Sequence, residues 1–242
     1  MARAVVAACD VRAGESVLDV AAGTGNAALA AAQRGARVTA LDLTAALIER
    51  GRRRTADAGF DVRWVQGDAI ELPFATDAFD ATVSILGVMF ATEPARAAAE
   101  LARVTAPGGR VAVASWTRDG LSGALSACVG RHMTRPPGFV DPHDWGEPER
   151  LGEWLGPHVD GIRCERRSVT WRFPSAAAAV KLLERDAGAF VAARAHVGEE
   201  RWSAVREDLL ALLTERAHVT SAGIELEWAY LLAIAPIRER VS

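Results

Sequence analysis

The stretch LDVAAGTGN, residues 18–26, decides how the rest of the chain is read. It carries the end of an apolar run, Ser16–Ala21, through a glycine turn into an alanine-rich segment, Asn26–Gln33. Strand, tight glycine loop and helix start, in that order, make the first crossover of a parallel α/β sheet, with loop N–H groups turned toward a ligand. Working outward, five short apolar runs read as strands: Ser16–Ala21, Arg37–Asp42, Val62–Gln66, Phe79–Ile85 and Arg110–Ser115. Several are almost continuously apolar, as strands covered on both faces should be. Helices are expected at Asn26–Gln33, from an N-cap at Thr44 to near Gly59, and at Glu93–Val104, where Pro94 suits a first turn and Ala97, Leu101 and Val104 share one face. Pro107-Gly108-Gly109 ends the last of these.

After Trp116 the rhythm changes. Residues 118–145 hold TRPPGF and DPHDW, irregular and broken by proline, which suggests a lid over the end of the sheet. EPERLGEWLG reads as a short helix, Val159–Phe173 as a strand, Ser175–Arg216 as two helices and IELEWAYLLAI as a closing strand. The expectation is one α/β domain over 1–242: a Rossmann-like sheet of seven mostly parallel strands with helices on both faces. Its core is residues 14–116, with a helical lid inserted at about 118–157 and 175–216.

Composition narrows the function classes. Half of the 242 residues are hydrophobic, 24% are charged and the net charge is -3, the profile of an ordinary globular protein. Basic and acidic residues alternate, so no nucleic-acid surface is expected, and the dense run Glu49–Arg54, ERGRRR, reads as the solvated face of a helix. Cys9, Cys128 and Cys164 are too few and too scattered for a disulfide framework or a zinc cluster. Without a signal peptide or an apolar run long enough to span a bilayer, a cytoplasmic protein with no membrane insertion is expected. A homo-oligomer stays open.

Gly23-Thr24-Gly25-Asn26-Ala27-Ala28 also satisfies the dinucleotide pattern, which keeps an NAD-dependent reductase in play, and Asp42 at the end of the second strand suits ribose hydroxyls in either case. Asp19 separates the two. A pyrophosphate at the loop would bring like charges within several Å of its carboxylate, at a cost of several kcal/mol even with an effective dielectric of ~20. A cationic ligand reverses the sign, and S-adenosylmethionine carries both an ammonium and a sulfonium.

VLDVAAGTGN resembles the first motif of class I S-adenosylmethionine-dependent methyltransferases, with Ala21 where the family often has its first glycine. The resemblance covers roughly residues 14–116 and is closest to the branch of small-molecule enzymes similar to those of ubiquinone and menaquinone biosynthesis. It implies that Asp19, Ala21, Gly23, Gly25 and Asn26 surround the cofactor, that Asp42 and Leu43 meet its ribose, and that Asp68 and Ala69, in GDAIELPF, meet the adenine. Ile85 and Leu86, at the end of FDATVSIL, would lie against the methionine moiety, and ELARVTAPGGRVAVASW is similar to the family's final βα signature. The segment before Ser16, which folds over the cofactor in similar members, is short here.

Methyl transfer from a sulfonium needs alignment more than a catalytic side chain, although a base helps a phenolic or carbon acid. His132, His143 and His196 are the base candidates, and Met89, Phe90, Trp116, Met133, Trp145 and Tyr230 are candidates for an apolar acceptor pocket. SILG after the fourth strand lacks both the proline-aromatic motif of DNA amino-methylating enzymes and the acidic ligands of catechol-type enzymes. Neither DNA chemistry nor a metal ion is expected. The function expected is methyl transfer to a small, mostly apolar organic acceptor, at an oxygen, nitrogen or carbon atom. The alternative is a protein that binds the cofactor without transferring methyl, or uses it as scaffold for another reaction such as a cyclisation.

Overall fold

The computed structural model describes residues 1–134 and 138–239. They form helix α1 (Ala2–Ala8), strand β1 (Ser16–Val20), α2 (Asn26–Ala32), β2 (Arg37–Asp42), α3 (Ala45–Asp57), β3 (Val62–Gln66), β4 (Phe79–Ile85), α4 (Pro94–Val104) and β5 (Thr105–Trp116). There follow α5 (Leu121–Gly130), α6 (Pro148–Trp154), β6 (Arg163–Phe173), α7 (Ala176–Asp186), α8 (Gly188–Val197), α9 (Glu199–Arg216), β7 (His218–Thr220) and β8 (Gly223–Pro236). Strand order is β3-β2-β1-β4-β5-β8-β6, with the three-residue β7 added alongside β8. β1 to β5 pair in parallel, and β8 runs antiparallel to β5. The expected mostly parallel, Rossmann-like sheet is the fold, with one short strand beyond the seven.

The chain divides into two compact units. The first comprises Met1–Trp116, Val140–Arg167 and Tyr230–Ser242; the second comprises Thr117–Phe139 and Ser168–Ala229. In the first unit the two faces of the sheet bury different sets. Leu18, Val20, Val111 and Val113 pack with Leu101, Met89 and Trp145 on one side. Val17, Ala40, Val83 and Ala112 pack with Val5, Ala28 and Trp64 on the other. Alternation along each strand assigns the faces. α4 starts with Pro94 in its first turn and buries Ala97, Leu101 and Val104, the stripe read from the sequence. α1, to which the sequence reading assigned no element, buries Val5 and Val6.

Differences from the sequence reading concentrate after Trp116. Residues 140–157, expected in the lid, cluster with the sheet in the first unit. Leu121–Gly130, expected to be irregular, is a helix that buries Leu121, Leu125, Cys128 and Val129. Ser175–Arg216 holds three helices instead of two, because the chain turns extended at Ala187 and Gly198 takes φ 83. β6 begins at Arg163, after a single 3-10 turn at Gly156–His158. Of the TRPPGF stretch, residues 135–137 lie outside the described residues.

Candidate active site

The strand order reverses direction between β1 and β4, and crevices at such switch points, at the carboxyl ends of the strands, are where open α/β sheets bind ligands. The backbone there is under strain. Ala21, directly after β1, has φ 53, and Leu86, directly after β4, has φ 58. Neither is glycine, and left-handed backbone at such residues persists only where the surroundings dictate it. Gly87 supplies the reason: a Cβ on it would lie 2.5 Å from Ala21 Cβ and 2.6 Å from Ala21 O. Ser84 Oγ stitches the two ends together, donating to Val20 O at 2.8 Å and accepting from Val88 N at 3.0 Å.

The glycine loop hangs between this junction and β2. Gly25, at φ 81, is the residue before α2. Its N–H donates to Ala22 O at 2.9 Å, closing the turn. Gly23 N–H donates to Asp42 Oδ2 at 2.7 Å, and Thr44 N–H donates to Asp42 Oδ1 at 2.9 Å. Asp42, 7% exposed, therefore ties the loop to the end of β2. Each of its oxygens keeps a further lone-pair direction, which fits the two hydroxyls of a ribose. Leu43, beside it, is 63% exposed and offers an apolar surface for a base. β3 ends at the same edge, where Gly67 N–H donates to Asp42 O at 3.1 Å. Asp68 Oδ1 accepts from Ile70 N at 3.1 Å, an Asx turn that shapes the segment carrying Ala69.

Asp19 corrects the electrostatic argument made from the sequence. It is 2% exposed, and its Oδ2 accepts the Ala28 N–H of α2 at 2.8 Å. Burial, with the Asp42 charge adding to it, raises its pKa to about 7. A carboxyl raised in this way repels a pyrophosphate less than an ordinary carboxylate would, and its visible work is to anchor the first turn of α2.

The sequence reading missed two residues at the loop. Arg54, in the run taken as a solvated face, donates through Nη1 to Asn26 Oδ1 at 2.8 Å and to Thr24 O at 3.2 Å. Trp64, on β3, lies against the loop, so that a Cβ on Gly25 would approach its ring to 3.0 Å. Trp64 has no local signal in the sequence, because its contact with Gly25 and Gly51 exists only in the folded sheet.

Ile85, Leu86, Met89 and Phe90 follow one another from the end of β4, with Met89 buried and Phe90 54% exposed. Trp116 and Tyr230 pair across β5 and β8, and their rings meet edge to face at 6.5 Å. Trp145 is fully buried and Tyr230 is 2% exposed, so both are core side chains here. The short 3-10 turn Pro142–Gly146 packs against the turn Val88–Phe90 and against β5. It carries His143, 4% exposed, whose Nδ1 lies 2.8 Å from Asp141 Oδ1. His132, Met133 and His196 belong to the second unit, where His132 Nε2 lies 2.8 Å from Asp208 Oδ2 and His196 is exposed on α8. Among the described residues no cluster of three or more His, Cys, Asp or Glu side chains could hold a metal. A separate cavity of about 640 Å³ opens at the amino end of the strands, beside Glu100, Arg103 and Arg238, away from the loop. Both of its arginines are paired, Arg103 with Glu100 and Arg238 with Asp160.

Comparisons with known proteins place the chain in a family. Residues 18–113 match the methyltransferase domain family. A demethylmenaquinone methyltransferase of Renibacterium salmoninarum is 35% identical over 168 residues, covering 63% of this chain and 69% of that protein. The chain belongs to the class I S-adenosylmethionine-dependent methyltransferases. An uncharacterized protein of Mycobacterium tuberculosis is 37% identical over 236 residues, 97% of this chain and 85% of its relative. Among solved structures, the YcgJ protein of Bacillus subtilis shares the fold with a TM-score of 0.66 at 18% identity, covering 99% of both chains. This methyltransferase is therefore an enzyme that uses S-adenosylmethionine. No helix among its described residues is long and apolar enough to cross a membrane.

Proposed function

We propose that this methyltransferase acts on a small, mostly apolar organic molecule. The observation that carries the reading is the convergence at one sheet edge of the glycine loop, Asp42, the Asp68–Ala69 turn and the Ile85–Leu86 turn. Apolar and aromatic side chains follow directly after β4, and Trp116 closes β5. Bound S-adenosylmethionine supplies an electrophilic methyl group on a cationic sulfur, so the protein's share of the work is binding, alignment and exclusion of water.

In this reading Asp42 receives the ribose hydroxyls, Leu43 and Ala69 flank the base, and Ile85 and Leu86 border the methionine portion. Phe90 and Trp116 contribute to the acceptor side. Asp141 Oδ1, 2.8 Å from His143 Nδ1, holds the imidazole in place on the turn that packs against Val88–Phe90. An acceptor that loses a proton on methylation, such as a phenol or an enolisable carbon acid, suits that pair. The relative named as a demethylmenaquinone methyltransferase makes demethylmenaquinone, in its quinol form, the first compound to try.

The test is formation of S-adenosylhomocysteine by the purified protein across a panel of quinols, phenols and amines. Turnover is expected with an apolar hydroxyl or carbon acceptor, and His143→Gln is expected to lower kcat by about 100-fold with little change in cofactor affinity. Tight cofactor binding with no methylated product across the panel would favour a binding or scaffold role instead.

A further inference from the structure

We infer that Trp64 and Arg54 are positioning residues that brace the glycine loop in its cofactor-binding conformation, an inference that rests on the methyltransferase reading. The loop Gly23-Thr24-Gly25 has no apolar side chain with which to anchor itself, and Gly25 enters α2 without a side-chain cap. Its shape is set from outside, and two of the outside contacts come from β3 and α3.

Trp64 fills a slot made by two glycines. A Cβ on Gly25 would lie 3.0 Å from its Cη2 and Cζ2, and a Cβ on Gly51 in α3 would lie 2.2 Å from Cη2. The ring thus separates the loop from α3 at a distance that only two missing side chains allow. Its rotation is locked as well: Nε1 donates to Thr55 Oγ1 at 3.3 Å, and that hydroxyl donates in turn to Gly51 O at 3.0 Å. Trp64 is 8% exposed, so the ring is a fixed wall.

Arg54 closes the other side. Its Nη1 reaches Thr24 O, Thr24 Oγ1 and Asn26 Oδ1, at 3.2, 3.5 and 2.8 Å. Among the described residues it forms no ion pair, unlike Arg53 on the same helix, which pairs with Glu49. Its hydrogen bonds all go to the loop and the first residue of α2. A loop held in the bound conformation spares the cofactor the cost of ordering it, and that saving appears as affinity. Because Arg54 is exposed, its removal should leave the folded state intact while freeing the loop.

The experiment measures the dissociation constant for S-adenosylhomocysteine by calorimetry, and the ligand-free melting temperature, on the full chain. Arg54→Ala is expected to weaken binding about 5- to 20-fold with an unchanged melting temperature, and Arg54→Lys to recover part of that loss. Gly51→Ala should weaken binding by driving the ring toward Gly25. Gly51→Ala combined with Trp64→Phe, which removes the atoms that the new Cβ meets, should bind more tightly than Gly51→Ala alone. Wild-type affinity in Arg54→Ala, or no recovery in the double variant, would overturn the brace. Failure of the unmodified protein to bind S-adenosylhomocysteine would instead overturn the methyltransferase reading beneath it.

Discussion

The two sides of the sheet edge in the first unit are finished to different degrees. On the cofactor side, Asp19 and Asp42 are both buried and both accept backbone N–H groups, from Ala28 and from Gly23 and Thr44. On the β5 side, Ser115 Oγ and Trp145 Nε1 are buried and have no hydrogen-bond partner among the described residues. Buried polar groups are normally satisfied, so the contrast carries information. In the proposed complex the cofactor half is formed by the protein's own hydrogen bonds, whereas the β5 side keeps two buried polar atoms that no described protein group meets.

The sharpest way to break this picture is to separate the ends of β1 and β4. Gly87→Val places a branched side chain where even a Cβ would meet Ala21 backbone at 2.6 Å, so the junction must open. The expected cost is about 3 kcal/mol, with loss of soluble folded protein if the margin is small. Urea unfolding measures it. A change of under about half a kcal/mol would mean that the strained Ala21 and Leu86 are not held by their contact.

Asp19 gives a test with a sign. Its pKa is raised from 3.8 to about 7 by burial, so the folded state holds the proton more tightly than the unfolded chain does. Stability from this group is therefore greatest below about pH 4, declines as pH rises toward 7, and stays low above that. Asp19→Asn keeps an oxygen for Ala28 N–H and removes the titration. Relative to wild type it should gain on the order of 3 kcal/mol between pH 4.5 and pH 8. Melting curves at the two pH values decide it, and a gap that does not change with pH would show that Asp19 stays ionised in the fold.

These cases also show what the sequence discloses. The ends of β2, β3 and β4 were readable to the residue because apolar runs, glycines and prolines act locally. α4 was readable because Ala97, Leu101 and Val104 lie on one stripe. The protonation of Asp19 was not, since burial belongs to the assembled sheet and the residue looks like any carboxylate in the chain. Arg54 was hidden because three neighbouring arginines on α3 do face solvent. Leu121–Gly130 could have been found: Leu121, Leu125 and Cys128 keep helical spacing, but the prolines that follow drew the reading toward an irregular segment. The breaks at Gly198 and at Ala187, which Gly188 follows directly, were both legible in principle.

A smaller effect separates the two jobs of Asp42. Asp42→Ala removes the acceptor for Gly23 and Thr44 and, in the proposed complex, for the ribose. Binding of S-adenosylhomocysteine should weaken by about 2 kcal/mol, roughly 30-fold. Asp42→Asn retains one acceptor oxygen and should fall between. If the alanine variant binds normally, the ribose lies elsewhere and Asp42 only closes the loop.

The smallest expected effect tests the unfinished side. Ser115 alternates with Val111 and Val113, so its side chain shares the face on which Trp145 packs. A buried hydroxyl without a partner costs free energy, and Ser115→Ala removes it at almost constant shape. The ligand-free protein should therefore become more stable by up to about 1 kcal/mol. If the hydroxyl is kept for a polar atom of the acceptor, the same variant should raise the acceptor KM several-fold and leave cofactor affinity alone. A gain in stability with an unchanged KM would make Ser115 a packing residue and move the acceptor away from this face. A loss of stability would show that the hydroxyl is satisfied in solution, and with it the contrast between the two halves would disappear.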